Sequence, residues 1–219
     1  MRKSIKQILF AVFAVSVLFS VVGWSQEFPR GELGFDYSYV RYNPSAIFTK
    51  SHSLNGGGGT LVYNVNRYLG LKADLQGYGS HMNTFVITPR PFFPSGAVAN
   101  VQGNMFTYLF GPQIKVHNPK AQPFVHLLVG GAHSNMYANA FKRICAPVGA
   151  CAFARAPSSN AFAFAVGGGL DIPVGHVVSI RPAGVDYLLT NFSNRFNNSN
   201  QNNFRYRAGI NYNLGGQSK

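Results

Sequence analysis

Apolar and polar residues alternate along most of this chain with a period of two. The last stretch shows it best: Phe204, Tyr206, Ala208, Ile210, Tyr212 and Leu214 share one parity, Arg205, Arg207, Gly209, Asn211 and Asn213 the other. That period belongs to a strand with one apolar and one polar face. A soluble sandwich buries the aromatic face, whereas a transmembrane barrel turns it to lipid and the polar face to its lumen. One strand cannot decide between them.

Seven earlier segments repeat the pattern. Leu33, Phe35, Tyr37 and Tyr39 oppose Gly34, Asp36, Ser38 and Val40; Gly56 to Gly59 lead into Thr60-Leu61-Val62-Tyr63; and Leu69 to Tyr78 sets Leu69, Leu71, Ala73 and Leu75 against Lys72, Asp74 and Gln76. Lys72 and Asp74 share a face and can pair. Asn104–Lys115 places Phe106, Tyr108, Phe110 and Ile114 opposite Thr107, Gln113 and Lys115, and Pro123–Ala132 predicts Val125, Leu127 and Val129 outward, with Phe124, His126 and Leu128 inward. Ala161–Ile172 carries Phe162, Phe164 and Val166 against Ala163, Ala165 and Asp171. Val177–Thr190 carries Val185, Tyr187 and Leu189 against Asp186, Leu188 and Thr190. Arg181 and Asp186 differ in parity, so either a bulge near Pro182 reconciles them or Arg181 faces outward.

The connections between these strands alternate in length. Long segments, including 79–103 with Pro89, Pro91 and Pro94 and 133–160, follow strands one, three, five and seven; short ones follow two, four and six. Brief turns at one end and long loops at the other are the asymmetry of an outer-membrane barrel. The acids sharpen this reading. Of six acidic residues, Asp36, Asp74, Asp171 and Asp186 fall inside expected strands and Glu32 at the edge of one. Charges in a soluble protein belong on its surface. In a narrow barrel Asp36, Asp74, Asp171 and Asp186 can face inward and pair with Lys72, Arg205 and Arg207, each offsetting another's desolvation. The fold class expected is therefore all-β, an eight-stranded antiparallel up-and-down transmembrane β-barrel with a packed polar lumen.

The N-terminus agrees. Arg2, Lys3 and Lys6 precede an apolar run from Ile8 to Val22, shorter than the roughly 20 residues of a spanning helix, and Gly23-Trp24-Ser25 offers a cleavage site. Residues 1–25 read as a signal peptide and 26–219 as one barrel domain. The formal charge of +13 falls to about +10 without the leader. For an exported protein that excess points to anionic lipid, lipopolysaccharide phosphates included, and not to nucleic acid. Lys50, Arg90, Lys142, Arg143, Arg155 and Arg195 are the expected loop cations. Cys145 and Cys151, the only cysteines, fit a disulfide closing a small loop, and the six scattered histidines suggest no metal site. No cofactor is expected.

The segments Asn64–Asp74, Tyr108-Leu109-Phe110-Gly111-Pro112, Gly167-Gly168-Gly169-Leu170-Asp171 and Arg181 to Tyr187 resemble the OmpA-like eight-stranded outer-membrane β-barrel proteins of Gram-negative envelopes. The resemblance spans nearly all of residues 26–219, and its motifs are structural. It implies a monomeric barrel delivered by the barrel-assembly machinery. A terminal aromatic residue is usual in that family, whereas this chain runs from Tyr212 to Leu214-Gly215-Gly216-Gln217-Ser218-Lys219. No peptidoglycan-binding domain is expected after the barrel. The function expected is structural or surface-interacting and not enzymatic. A lipid A-modifying enzyme, using His126 or His133-Ser134, and a small-solute channel are the alternatives.

Overall fold

In the computed structural model, described for residues 28–43, 52–87, 97–135, 139, 142, 160–192 and 200–215, eight antiparallel strands close into one barrel. They are β1 (Gly31–Tyr42), β2 (His52–Asn64), β3 (Leu69–Ile87), β4 (Ala97–Lys115), β5 (Gln122–Ser134), β6 (Asn160–Pro173), β7 (Val178–Asn191) and β8 (Gln201–Leu214). Each strand pairs with its sequence neighbours, and β8 returns to β1 with Asp36 opposite Gly209 and Ser38 opposite Arg207. Closure leaves no strand edge unpaired, the condition for placing backbone in a medium without water.

Alternation sorts the side chains. Phe35, Tyr37, Leu61, Leu71, Phe110, Val125, Phe162, Tyr187, Phe204 and Ile210 all stand exposed on the outer wall. So broad an apolar exterior has no place on a monomer in water, and it forms the band a bilayer covers. Tyrosines cluster towards both ends of the band, with Tyr63, Tyr68 and Tyr212 on the short-turn side and Tyr39 and Tyr187 nearer the long loops.

Three short turns close one end. Asn66 Oδ1 accepts from the Tyr68 and Leu69 amides at 2.8 Å each, and Asn118 Oδ1 from the Lys120 amide at 2.9 Å. Gly175 takes φ +92° in the third turn, where a side chain would be strained. The expected loop at 79–103 is shorter than the sequence pattern suggests. β3 and β4 run on as a hairpin to Ile87 and Ala97, with a register shift between Ser80 and Asn83. Those extensions show no clean alternation, yet backbone pairing alone suffices to form them. The three prolines, which cannot donate to a ladder, lie between the two strands in 88–96. Likewise β2 begins at His52, and Gly56–Gly59 lie inside it, facing β1 residues from Ser38 to Phe35.

Arg181 is reconciled with Asp186 by a bulge. The β7–β8 register shifts between Arg181 and Gly184, so that Pro182 and Ala183 both face out while Arg181 and Asp186 both face in.

The closing seam has no room for a side chain at Gly209. A Cβ at Gly209 would run into the Phe35 carbonyl oxygen and lie 2.6 Å from Asp36 Oδ1, whereas one at outward Gly77 meets nothing nearer than 3.9 Å. Gly209→Val is expected to cost about 1–3 kcal/mol, lowering the midpoint of the heat-modifiable gel shift. Gly77→Val should migrate as the wild type does; equal behaviour of the two variants would contradict this seam register.

Candidate functional site

Because the polar parity of every strand faces the axis, charged side chains from six strands meet in the half of the lumen nearest the short turns. Five carboxylates (Glu32, Asp36, Asp74, Asp171, Asp186) and five cations (Lys72, Lys115, Arg181, Arg205, Arg207) are buried there. Arg205 grips Asp74 with both terminal nitrogens, at 3.1 and 3.2 Å, and donates from Nε to Asp186 Oδ2 at 2.6 Å. Arg207 Nη1 donates to Asp74 Oδ2 at 3.0 Å and to Asp36 Oδ2 at 3.4 Å. Its Nε lies 3.0 Å from Asp186 Oδ2 but off the hydrogen-bond direction. The planar guanidinium suits this work, since its five donors can serve several carboxylates from one position.

A second cluster sits closer to the turns. Arg181 holds Asp171 through Nε at 2.8 Å and Nη2 at 3.1 Å, and reaches Asp36 through Nη1 at 3.2 and 3.3 Å. Lys115 Nζ joins Glu32 at 2.6 Å to Asp171 at 2.8 Å. His117 contacts Glu32 Oε1 at 3.2 Å and the Arg67 carbonyl oxygen at 2.8 Å, tying the first two short turns together. Asp36, shared by Arg181 and Arg207, couples the two clusters into one lattice.

Above the lattice the lumen changes character. Val40, Tyr42, Leu54, Met105, Leu109, Leu128 and Leu188 fill the half nearest the long loops as an apolar cluster. Tyr78 belongs to that cluster and also accepts from Arg205 at 3.3 Å, so its ring and hydroxyl mark the junction. Polar pairs reappear towards the rim, where Thr190 donates to Gln201 at 3.1 Å and Asn203 to Thr190 at 3.2 Å. A lumen packed with polar groups throughout is therefore not what forms.

Asp36, Asp74, Asp171, Asp186, Arg205 and Arg207 are brought together in the lattice. Lys72 is not part of it. The Lys72–Asp74 pair does not form: Lys72 Nζ has no hydrogen-bond partner among the described residues and lies 5.2 Å from the Phe124 ring centroid. Two residues apart on one strand, their Cα atoms are separated by about 6.5–7 Å, and both Asp74 oxygens are taken by arginines from β8. Sequence reasoning passed over Arg181, Lys115, Glu32 and the histidines as members. The signal for Lys115 was its inward parity beside Gln113 on β4.

His133 and Ser134 stand on opposite faces, His133 outward with Nδ1 2.7 Å from Asn160 Oδ1 and Ser134 fully buried, so they do not form a nucleophile–base pair. His126 lies inside, with Nε2 2.9 Å from Asp186 Oδ1. Lys142 is exposed. The signal peptide, Cys145, Cys151, Lys50, Arg90, Arg143, Arg155 and Arg195 lie outside the described residues.

The family described as the outer membrane protein beta-barrel domain matches residues 11–213. Among solved structures, Neisserial surface protein A is similar at 10% identity and a TM-score of 0.55, over 84% of this chain and 97% of that one. The outer membrane protein OprG from Pseudomonas aeruginosa is similar at 12% identity and a TM-score of 0.57, over 87% and 98%. At these identities the likeness is one of fold. Comparison with curated proteins finds no match.

Removing one member of the lattice strands the charges it held. Arg207→Leu leaves Asp36, Asp74 and Asp186 each short of a contact and is expected to destabilise the barrel by about 3–5 kcal/mol. Phe204→Leu on the outer wall should cost under about 1.5 kcal/mol. Urea unfolding in detergent measures both, and equal midpoints would contradict the lattice.

Proposed function

Because the chain belongs to the outer membrane protein beta-barrel domain family, we propose that it is an outer-membrane protein with an occluded lumen, whose activity lies in the long loops. The role is structural or surface-interacting, and the partner is a phosphate-bearing lipid such as lipopolysaccharide. The observation that carries this reading is the stacked lumen, a lattice of buried ion pairs below and an apolar cluster above. An eight-stranded barrel has an interior just wide enough for side chains to fill, so a bore closed in both halves favours an anchor over a conduit.

Charge distribution supports the partner class. Five of the six acids are drawn into the lumen. The connections 43–51, 88–96, 135–159 and 192–200 hold Lys50, Arg90, Lys142, Arg143, Arg155 and Arg195 and not one Asp or Glu. All four leave from the same end of the barrel. Cations without neighbouring acids attract phosphate, and arginine can grip it with two parallel hydrogen bonds.

The test uses the full chain in vesicles with and without lipopolysaccharide. Lys142→Glu, Arg143→Glu and Arg155→Glu together should weaken capture of lipopolysaccharide by roughly a hundredfold, at about 1 kcal/mol per basic residue near the surface, and leave the heat-modifiable shift unchanged. Rising salt should weaken the wild type towards the variant. Undiminished, salt-insensitive capture by the triple variant would reject the loop cations as the contact.

A further inference from the structure

One stretch of the inner wall is left unsatisfied by the lattice. Lys72 Nζ, Gln113 Oε1 and Nε2, and His126 Nδ1 have no hydrogen-bond partner among the described residues, whereas His126 Nε2 lies 2.9 Å from Asp186 Oδ1. Yet these side chains are deeply buried, Lys72 at 2% exposure, Gln113 at 1% and His126 at 3%. Buried polar groups in folded proteins have partners, so such a concentration on one wall calls for one.

The register brings the three together. Gln113 lies directly across the β4–β5 ladder from His126, and Lys72 lies across the β3–β4 ladder from Gly111, two residues before Gln113. Phe124, the inward neighbour of His126 on β5, stacks on its ring at a centroid distance of 5.9 Å. The same Phe124 ring has Lys72 Nζ 5.2 Å and Arg181 Cζ 4.5 Å from its centroid. Two cations thus converge on one aromatic ring, and only Arg181 has carboxylates in contact.

Charge decides what kind of partner fits. Among the described residues the lumen holds five carboxylates and five Lys or Arg cations, so it balances as a whole. It does not balance locally, because every carboxylate is in contact with Lys115, Arg181, Arg205 or Arg207, and none with Lys72. An ammonium buried without a counter-charge is far costlier than an unpaired amide. Lys72 only donates, and the Gln113 amide nitrogen adds a donor beside it. A water molecule would satisfy the hydrogen bonds and leave the charge uncompensated.

We propose that Lys72 and Gln113, beside the Phe124 ring, form an internal binding site for one small monovalent inorganic anion of halide size. It is independent of the loop cations and of any lipid partner. The site lies below the apolar cluster, on the wall formed by β3, β4 and β5.

Bromide tests this directly, because it scatters anomalously. Crystals of the full chain grown in sodium bromide should show an anomalous peak within hydrogen-bond reach of Lys72 Nζ. Water alone at that position, or Lys72 turned onto Asp74, would overturn the proposal. In detergent, bromide should raise the unfolding midpoint of the wild type above that in gluconate at equal ionic strength. The increment should vanish in Lys72→Met and shrink in Gln113→Leu. No increment in the wild type, or the same one in all three proteins, would also overturn the site. Should Lys72→Met fail to fold, the bromide map and Gln113→Leu still decide.

Discussion

The structure depends on guanidinium groups that each hold more than one buried carboxylate. Every charge in the lumen has lost its water, and Coulomb attraction offsets that loss only with close geometry and filled hydrogen-bond positions. Arg181, Arg205 and Arg207 meet the condition by bridging strands distant in sequence: Arg205 on β8 reaches Asp74 on β3, and Arg181 on β7 reaches Asp36 on β1. The lattice is therefore also a set of cross-barrel struts. It constrains which strands lie opposite each other in a wall whose ladder contacts are otherwise only between neighbours.

The lattice and the outer wall solve opposite problems with the same alternation. Outward residues meet lipid tails and need no polar partner; inward ones meet one another and need complete pairing. This explains why the acids are nearly absent from the loops. Carboxylates placed in the lumen to neutralise inward cations leave the long connections with a surplus of positive charge. The basic loops and the neutral lumen are two results of one partition. The apolar cluster formed by Leu54, Met105, Leu109 and Leu128 completes it by excluding water from the loop side of the ion pairs.

Much of this architecture can be read from the chain, because a period of two assigns faces without knowledge of tertiary contacts. The parity of β8 alone puts Arg205 and Arg207 on one side and Phe204 and Tyr206 on the other, and the structure has them buried and outward in that order. The parity clash between Arg181 and Asp186, with Pro182 between, foretells the bulge as one of two outcomes. What cannot be read is partner choice. Whether Asp74 meets Lys72 two residues away or Arg205 across the bore depends on strand tilt and stagger, which no local spacing encodes. The hairpin extensions Ser80–Ile87 and Ala97–Gly103 are equally hidden, because their pairing rests on backbone hydrogen bonds and not on an amphipathic pattern. The apolar upper lumen follows from the inward parity of Leu109, Leu128 and Leu188.

An anchor occluded along its axis differs from a conduit in one electrical property. Conductance of the wild-type full chain in planar bilayers, recorded in molar potassium chloride over a range of voltages, tests this most directly. The lattice and the apolar cluster together predict a silent membrane, with no resolved unitary steps. Reproducible single-channel openings of the folded, heat-modifiable protein would contradict the occluded lumen and return the function to transport.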